Sequence, residues 1–155
     1  MTPLQWSDEL SVGVPLIDQQ HKELIRIAVM TLDAMKRNDG REYIDTVINK
    51  LREYTVFHFR YEEELMEDMS FPERAEHEQE HIRLKNEVKQ FQRELYLRND
   101  LSPQTIREFV KDWLITHILT FDRNLAKFIH EREAEDEATK TNKSQNDNGD
   151  VPPQE

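Results

Sequence analysis

The sequence predicts an all-α protein, an up-down-up-down antiparallel four-helix bundle with an extended N-terminal arm. Three observations carry that expectation. Apolar residues recur at helical spacing in four long stretches. Each stretch is separated from the next by a few residues rich in Asn, Asp, Ser, Gly or Pro, which favours antiparallel neighbours. Glycine is scarce, 3 in 155 residues beside 6 prolines, so little interrupts the helices.

Residues 1–16 read as the arm. Trp6 is its large apolar anchor, and Val12, Val14 and Leu16 can lie over a bundle end. Closing the core and gating an access path both fit it. The first helix is expected from Asp18, as N-cap, to Lys36. Its stripe is Ile17, Leu24, Ile25, Ala28, Leu32 and Met35, and Asn38-Asp39-Gly40 is the turn that follows. The second helix is expected from about Glu42 to Met69, burying Val47, Leu51, Tyr54, Leu65 and Met69. Pro72 reads as the first turn of the third, with Ser70 or Phe71 near the cap. That helix has the most regular stripe, through His77, His81, Leu84, Val88, Phe91 and Leu95. After Asn99-Asp100-Leu101, Ser102 and Pro103 form an N-cap and N1 pair. The fourth helix passes through Ile106, Phe109, Val110, Trp113, His117, Phe121, Leu125 and Phe128 and is expected to end near residue 131.

From Arg132 the periodicity stops. The remaining residues hold three basic and seven acidic side chains, and their only aliphatic residues are two alanines and Val151. Such a segment buries too little to offset its ordering. The expected division is therefore a bundle over residues 1–131 and an acidic, disordered tail over 132–155, the first residues of which can extend the fourth helix.

Composition removes several function classes. The net charge of −11 and a pI near 5.0 disfavour nucleic acid and anionic membrane, both polyanions. Without cysteine there is no disulfide, iron–sulfur cluster or thiolate zinc site. The N-terminus has neither a basic n-region nor an apolar h-region, and no run approaches eighteen apolar residues. A cytoplasmic protein without a membrane span is expected.

The chemistry is concentrated in seven residues. His58 and Glu62 stand four apart on the buried face of the second helix. A carboxylate there is costly unless it is paired or bound to a metal. Of 6 histidines, five fall on core faces: His21, His58, His77, His81 and His117. Buried imidazoles need partners, and five beside Glu62 and Asp122 call for a metal. His77 and His81, one turn apart, can hold one ion from the same side. His117 and Asp122 are five apart, which a regular helix would place about 140° from each other at about 100° per residue. Either Asp122 reaches round or the helix is locally widened, as at π-bulges. Seven ligands exceed one tetrahedral zinc and suit two ions with the carboxylates as bridges. Nitrogen and carboxylate donors admit iron, manganese, cobalt or zinc. Glu63 and Glu64 are expected to face water or the helix ends. His130 lacks a partner motif and is expected at the surface or the helix end.

The pattern His21, His58-x3-Glu62, His77-x3-His81 and His117-x4-Asp122 resembles the hemerythrins. The segment Val12-Gly13-Val14-Pro15-Leu16-Ile17-Asp18-Gln19-Gln20-His21, and Phe71-Pro72 ahead of His77, are similar to the bacterial single-domain members. The resemblance spans about residues 6–130. It implies two iron ions, one held by His77, His81 and His117 and coordinatively full. The other would be held by His21 and His58 and keep an open position. Glu62, Asp122 and an oxide or hydroxide would bridge them. It further implies reversible binding of dioxygen by a carrier, store or supply protein that is not an enzyme. Leu24, Phe59, Trp113 and Leu114 would form the apolar wall of the oxygen pocket, although Trp113 fits plain core packing equally well. A sensor acting through a partner, and a weak peroxidase or oxidase, are the competing readings. The sequence names no protein recipient for oxygen.

Overall fold

The computed structural model describes residues 4–37, 40–97 and 102–147. Helix α1 spans Pro15–Lys36, α2 Arg41–Asp68 and α3 Arg74–Leu97. A fourth rod begins as α4, Pro103–Lys111, and widens into two π-helical turns, Asp112–Thr116 and Ile118–Asp122. It continues as α5, Arg123–Asp147. The rods form an all-α four-helix bundle, with no strand among the described residues. No described helix is long and apolar enough to cross a membrane.

Two helix starts depart from the sequence expectation. α1 begins at Pro15, whose fixed φ suits N1, and Val14 is the extended residue before it. Asp18 therefore lies within the first turn and caps the arm instead. Its Oδ2 accepts from Ser11 Oγ at 2.6 Å and its Oδ1 from Val12 N at 2.8 Å. α3 begins at Arg74, and Pro72 stands in the preceding turn. The cause is the tight C-terminus of α2. Ser70 takes φ 52°, its N–H donates to Glu67 O at 3.2 Å, and Phe71 N donates to Met66 O at 2.9 Å. That is a Schellman motif with serine at the left-handed position. Ser102 caps α4 as expected, accepting from Thr105 N at 3.2 Å. Residues 1–3, Asn38 and Asp39 of the first turn, and Asn99-Asp100-Leu101 of the third connection lie outside the described residues.

The core forms two clusters. The larger surrounds the ionisable residues and contains Ile17, Leu24, Phe59, Met66, Leu84, Trp113, Leu114, Ile118 and Leu125. The smaller closes the opposite end with Ala28, Leu32, Ile106 and Val110, beside the stacked rings of Phe91 and Phe109 at 4.4 Å. On α2, Tyr54, Leu65 and Met69 are only half-buried, while Phe59 and Met66 hold the centre. The arm is latched where it crosses the fourth rod. His130 Nε2 bonds Val12 O at 3.1 Å, and a Cβ on Gly13 would lie 2.8 Å from that nitrogen. Gly13 has φ +76°, so the backbone favours glycine there, and a Cβ would push the His130 ring aside. His130 thus has a partner that the sequence did not indicate.

The tail expectation needs correction over residues 132–147, which continue α5 as helix. Nothing from 130 to 143 is buried, so packing is not the cause. Arg132, Glu133, Ala134, Glu135, Glu137, Ala138 and Lys140 are good helix formers. Asp136 and Lys140 stand at i, i+4, and an established helix propagates more easily than one starts. Residues 148–155 lie outside the described residues. Deleting residues 134–155 should shift the melting temperature by no more than about 2 °C, since such solvated surface contributes within about 0.5 kcal/mol. A larger fall in a calorimetric scan would show that this extension packs against the bundle.

Candidate metal centre

Each rod brings part of one buried cluster. α1 carries His21 six residues after its start, and α2 carries His58 and Glu62 one turn apart. His77 and His81 occupy the first two turns of α3. His117 stands between the π-helical turns and Asp122 ends the second. A π turn closes i→i+5, so residues five apart share a face. His117 Nε2 and Asp122 Oδ1 accordingly lie 2.9 Å apart. Local widening is thus the outcome of the two possibilities that the sequence left open. All seven side chains are buried, His117 least completely at 4% exposure.

The two carboxylates stand between two groups of histidines. Asp122 Oδ2 faces His21 Nε2 at 2.7 Å and His58 Nε2 at 3.5 Å. Its Oδ1 faces His77 Nε2 at 3.2 Å and His117. Glu62 Oε1 lies 3.0 Å from His58 Nε2, 3.4 Å from His81 Nε2 and 4.0 Å from His77 Nε2. Two sets of donor atoms result, each within 4.8 Å of one another: Glu62, His77, His81, His117 and Asp122, and His21, His58, Glu62 and Asp122. Both carboxylates belong to both sets.

Whether the residues fit metal is decided by their unmet bonding. Among the described residues, every buried side-chain nitrogen or oxygen without a hydrogen bond belongs to this cluster. They include both oxygens of Glu62, both nitrogens of His77 and of His117, and the Nε2 atoms of His58 and His81. Each such atom costs about 1–3 kcal/mol, against a net stability of about 5–15 kcal/mol for a whole domain. Cations between the two histidine groups would satisfy the carboxylate oxygens and the inward Nε2 atoms together. The donor set of imidazole and carboxylate fits iron, manganese, cobalt or zinc.

Three outer residues escaped the sequence reading. Gln20 Oε1 accepts from His58 Nδ1 at 2.6 Å, which turns Nε2 inward. Gln20 lies three after Ile17 and four before Leu24, so its place on the buried stripe was visible in its phase. Glu63 does not simply face water; its Oε1 lies 3.2 Å from His81 Nδ1. Glu80 Oε1 lies 3.9 Å from His117 Nδ1. The neighbouring His117 ring and Arg83 guanidinium hold Glu80 down at about 2, so it remains a carboxylate. No single-helix pattern could reveal Glu63 or Glu80, because each reaches a histidine across a helix interface or from the adjacent face.

The apolar residues singled out are all in the same cluster. Phe59 stacks on His81 at 3.9 Å and 5° between planes. Trp113 Nε1 donates to Leu84 O at 3.0 Å, so its polar atom is engaged within the core. Leu24 and Leu114 are buried.

The sequence model of the family described as "Hemerythrin HHE cation binding domain" matches residues 12–129. A bacteriohemerythrin of Stenotrophomonas maltophilia is 32% identical over 126 residues, covering 81% of this chain and 81% of that protein. Another, from Clostridium acetobutylicum, is 31% identical over 122 residues, 76% of this chain and 95% of its own length. A crystal structure of wild-type hemerythrin aligns with a TM-score of 0.71 at 26% identity, covering 81% of this chain and 97% of that one.

Charge balance in the metal-free centre predicts a pH dependence. Burial disfavours the charged form of His58, but the facing carboxylates of Glu62 and Asp122 outweigh it and raise the group to about 9. His117 is raised to about 10 against burial, chiefly by Asp122. Burial raises Asp122, yet His117, His21 and His58 hold it well below its ordinary value. His58 and His117 thus carry positive charge beside the Glu62 and Asp122 carboxylates at neutral pH. Groups raised above an unfolded value of 6.5 stabilise the fold fully below that pH and cease to do so as pH rises through about 9 to 10. The metal-free chain should therefore lose stability across that interval in denaturant titrations. Loading a divalent cation at pH 7 should release protons from both histidines, visible with an indicator dye in weak buffer. A flat stability profile and no proton release would contradict this charge state.

Proposed function

The chain belongs to the hemerythrin family, and from that premise we propose that it holds two iron ions and binds dioxygen reversibly. The observation that carries the reading is the unequal division of five histidines around two shared carboxylates. His77, His81 and His117 with both carboxylates would fill one ion's coordination. His21 and His58 with the same carboxylates would leave the other an open position. A bound ferrous pair supplies the two electrons that dioxygen takes up and gives back.

The chain's own residues account for the remaining requirements. Glu62 and Asp122 contribute two negative charges between the ions, and five neutral imidazoles add none. This disfavours the high-valent iron that splitting the O–O bond would need, which supports a carrier over an oxygenase or peroxidase. Gln20 fixes the His58 ring, and Glu63 and Glu80 stand behind His81 and His117, so these three Nε2 atoms remain directed inward. Leu24, Phe59, Trp113 and Leu114 would wall the open position with carbon. Trp113 brings no proton there, since its N–H is bound to Leu84 O. The same wall keeps out water and anions, which would otherwise displace the bound oxygen and leave the centre oxidised.

Iron analysis with visible spectra through cycles of air and argon tests the assignment. Two irons per chain and a spectrum that returns on each cycle are expected; one iron per fully loaded chain, or a single irreversible oxidation, would overturn it. Leu114→Ala should still hold two irons, yet its oxygen-loaded form should decay faster than wild type in stopped-flow traces. The substitution should also cost about 2–5 kcal/mol of stability through the cavity, so unfolding is measured separately. Unchanged decay with iron intact would reduce Leu114 to an ordinary core leucine.

A further inference from the structure

Beside the three-histidine group, a surface cavity of about 430 Å³ opens between the start of α3 and the fourth rod. Its wall carries two carboxylates, Glu73 and Glu76, with the Asn124 amide, whose Nδ2 donates to Glu73 Oε2, and the Thr120 hydroxyl, which donates to Thr116 O. All are hard oxygen donors, and no lysine or arginine is among its described lining residues. At its inner side stands His77, 1% exposed. His77 Nε2 faces Asp122 at 3.2 Å, and neither ring nitrogen has a hydrogen-bond partner. Apolar rings of Phe71 and Phe121 complete the wall, and Phe121 packs edge-on against His77 at 5.6 Å.

From this arrangement we infer that the Glu73–Glu76 cavity is the port through which divalent metal ions reach the buried centre, with His77 as the first nitrogen that receives them. The inference rests on the metal-centre reading above. The cavity has room for a hydrated ion, since six waters at about 30 Å³ each occupy about 180 Å³. Its carboxylates can draw in a cation and replace part of its water shell, and the oxygen donors then hand it to imidazole. Dioxygen has no use for this route. It is uncharged, and the cavity adjoins the histidine group whose ion would have no free position. A cleft lined by one sign of charge accelerates association about 10- to 1,000-fold.

The test follows Co²⁺ uptake by the metal-free full-length chain, using stopped-flow absorption at low ionic strength. The E73Q/E76Q variant should load at least about tenfold more slowly while reaching the wild-type stoichiometry and final spectrum. Asn124→Trp, which fills the cavity but keeps both charges, should slow uptake and chelator-driven release alike. E135Q/E137Q, with the same charge change on exposed α5, should load as wild type does. Wild-type rates in E73Q/E76Q and in Asn124→Trp would overturn the port while leaving the centre standing. Equal slowing by E135Q/E137Q would also overturn it, reducing the effect to net charge. Failure of the wild-type chain itself to bind Co²⁺ would overturn the metal-centre reading and the port with it.

Discussion

Two carboxylates with no access to water set the terms for the rest of this molecule. Glu62 and Asp122 are each 0% exposed, and a buried anion stands only beside positive charge. Asp122 meets that requirement on two sides, one oxygen toward His21 and His58 and the other toward His77 and His117. Such a division needs contributions from all four rods at one level of the bundle. The helices are long because only long rods can present those residues inward and still have apolar surface on either side to hold them.

The surroundings of the histidines are not uniform. Behind His81 and His117 stand the carboxylates Glu63 and Glu80, whereas behind His58 stands the neutral amide of Gln20. A carboxylate acceptor makes an imidazole a stronger donor than an amide acceptor does. The three-histidine group is therefore both the fuller and the more basic side of the cluster. The apolar residues Leu24, Phe59, Trp113 and Leu114 lower the local dielectric around both groups, which strengthens every charge interaction there.

The bundle and the convergence of the seven polar residues were legible because both depend on phase along single helices. His21, His58, His77, His81 and His117 each interrupt an apolar stripe without leaving it. The five-residue step from His117 to Asp122 announced that something in the fourth rod had to yield. What escaped was decided by contacts between helices or by none at all. Glu63 looks like one of three equivalent glutamates until α3 is placed beside it. Asp18 resembles an N-cap unless Pro15 is given its due as a helix starter and Ser11 is seen folding back. Residues 132–147 lack an apolar face, the feature by which the other helices were found, and their helix rests on intrinsic propensity and continuation of α5.

The π-helical turns make the length of the fourth rod as consequential as its composition. Over Asp112–Asp122 the chain closes turns with more residues than an α-helix uses. Removing one residue between Ile118 and Phe121 would let the segment relax to α geometry and bring His117 and Asp122 to the four-residue step of a normal helix. Leu125, Ala126, Ile129 and the His130 latch all lie beyond the deletion, so they would keep their phase with Asp122 and stay on the face that it presents. A deletion here is thus a different event from a substitution. A substitution alters one contact, whereas the deletion exchanges one turn geometry for another and leaves the far half of the rod in register. The same deletion in a regular helix of the bundle would turn everything beyond it by about 100°, so this eleven-residue stretch is where losing one residue disturbs the register least.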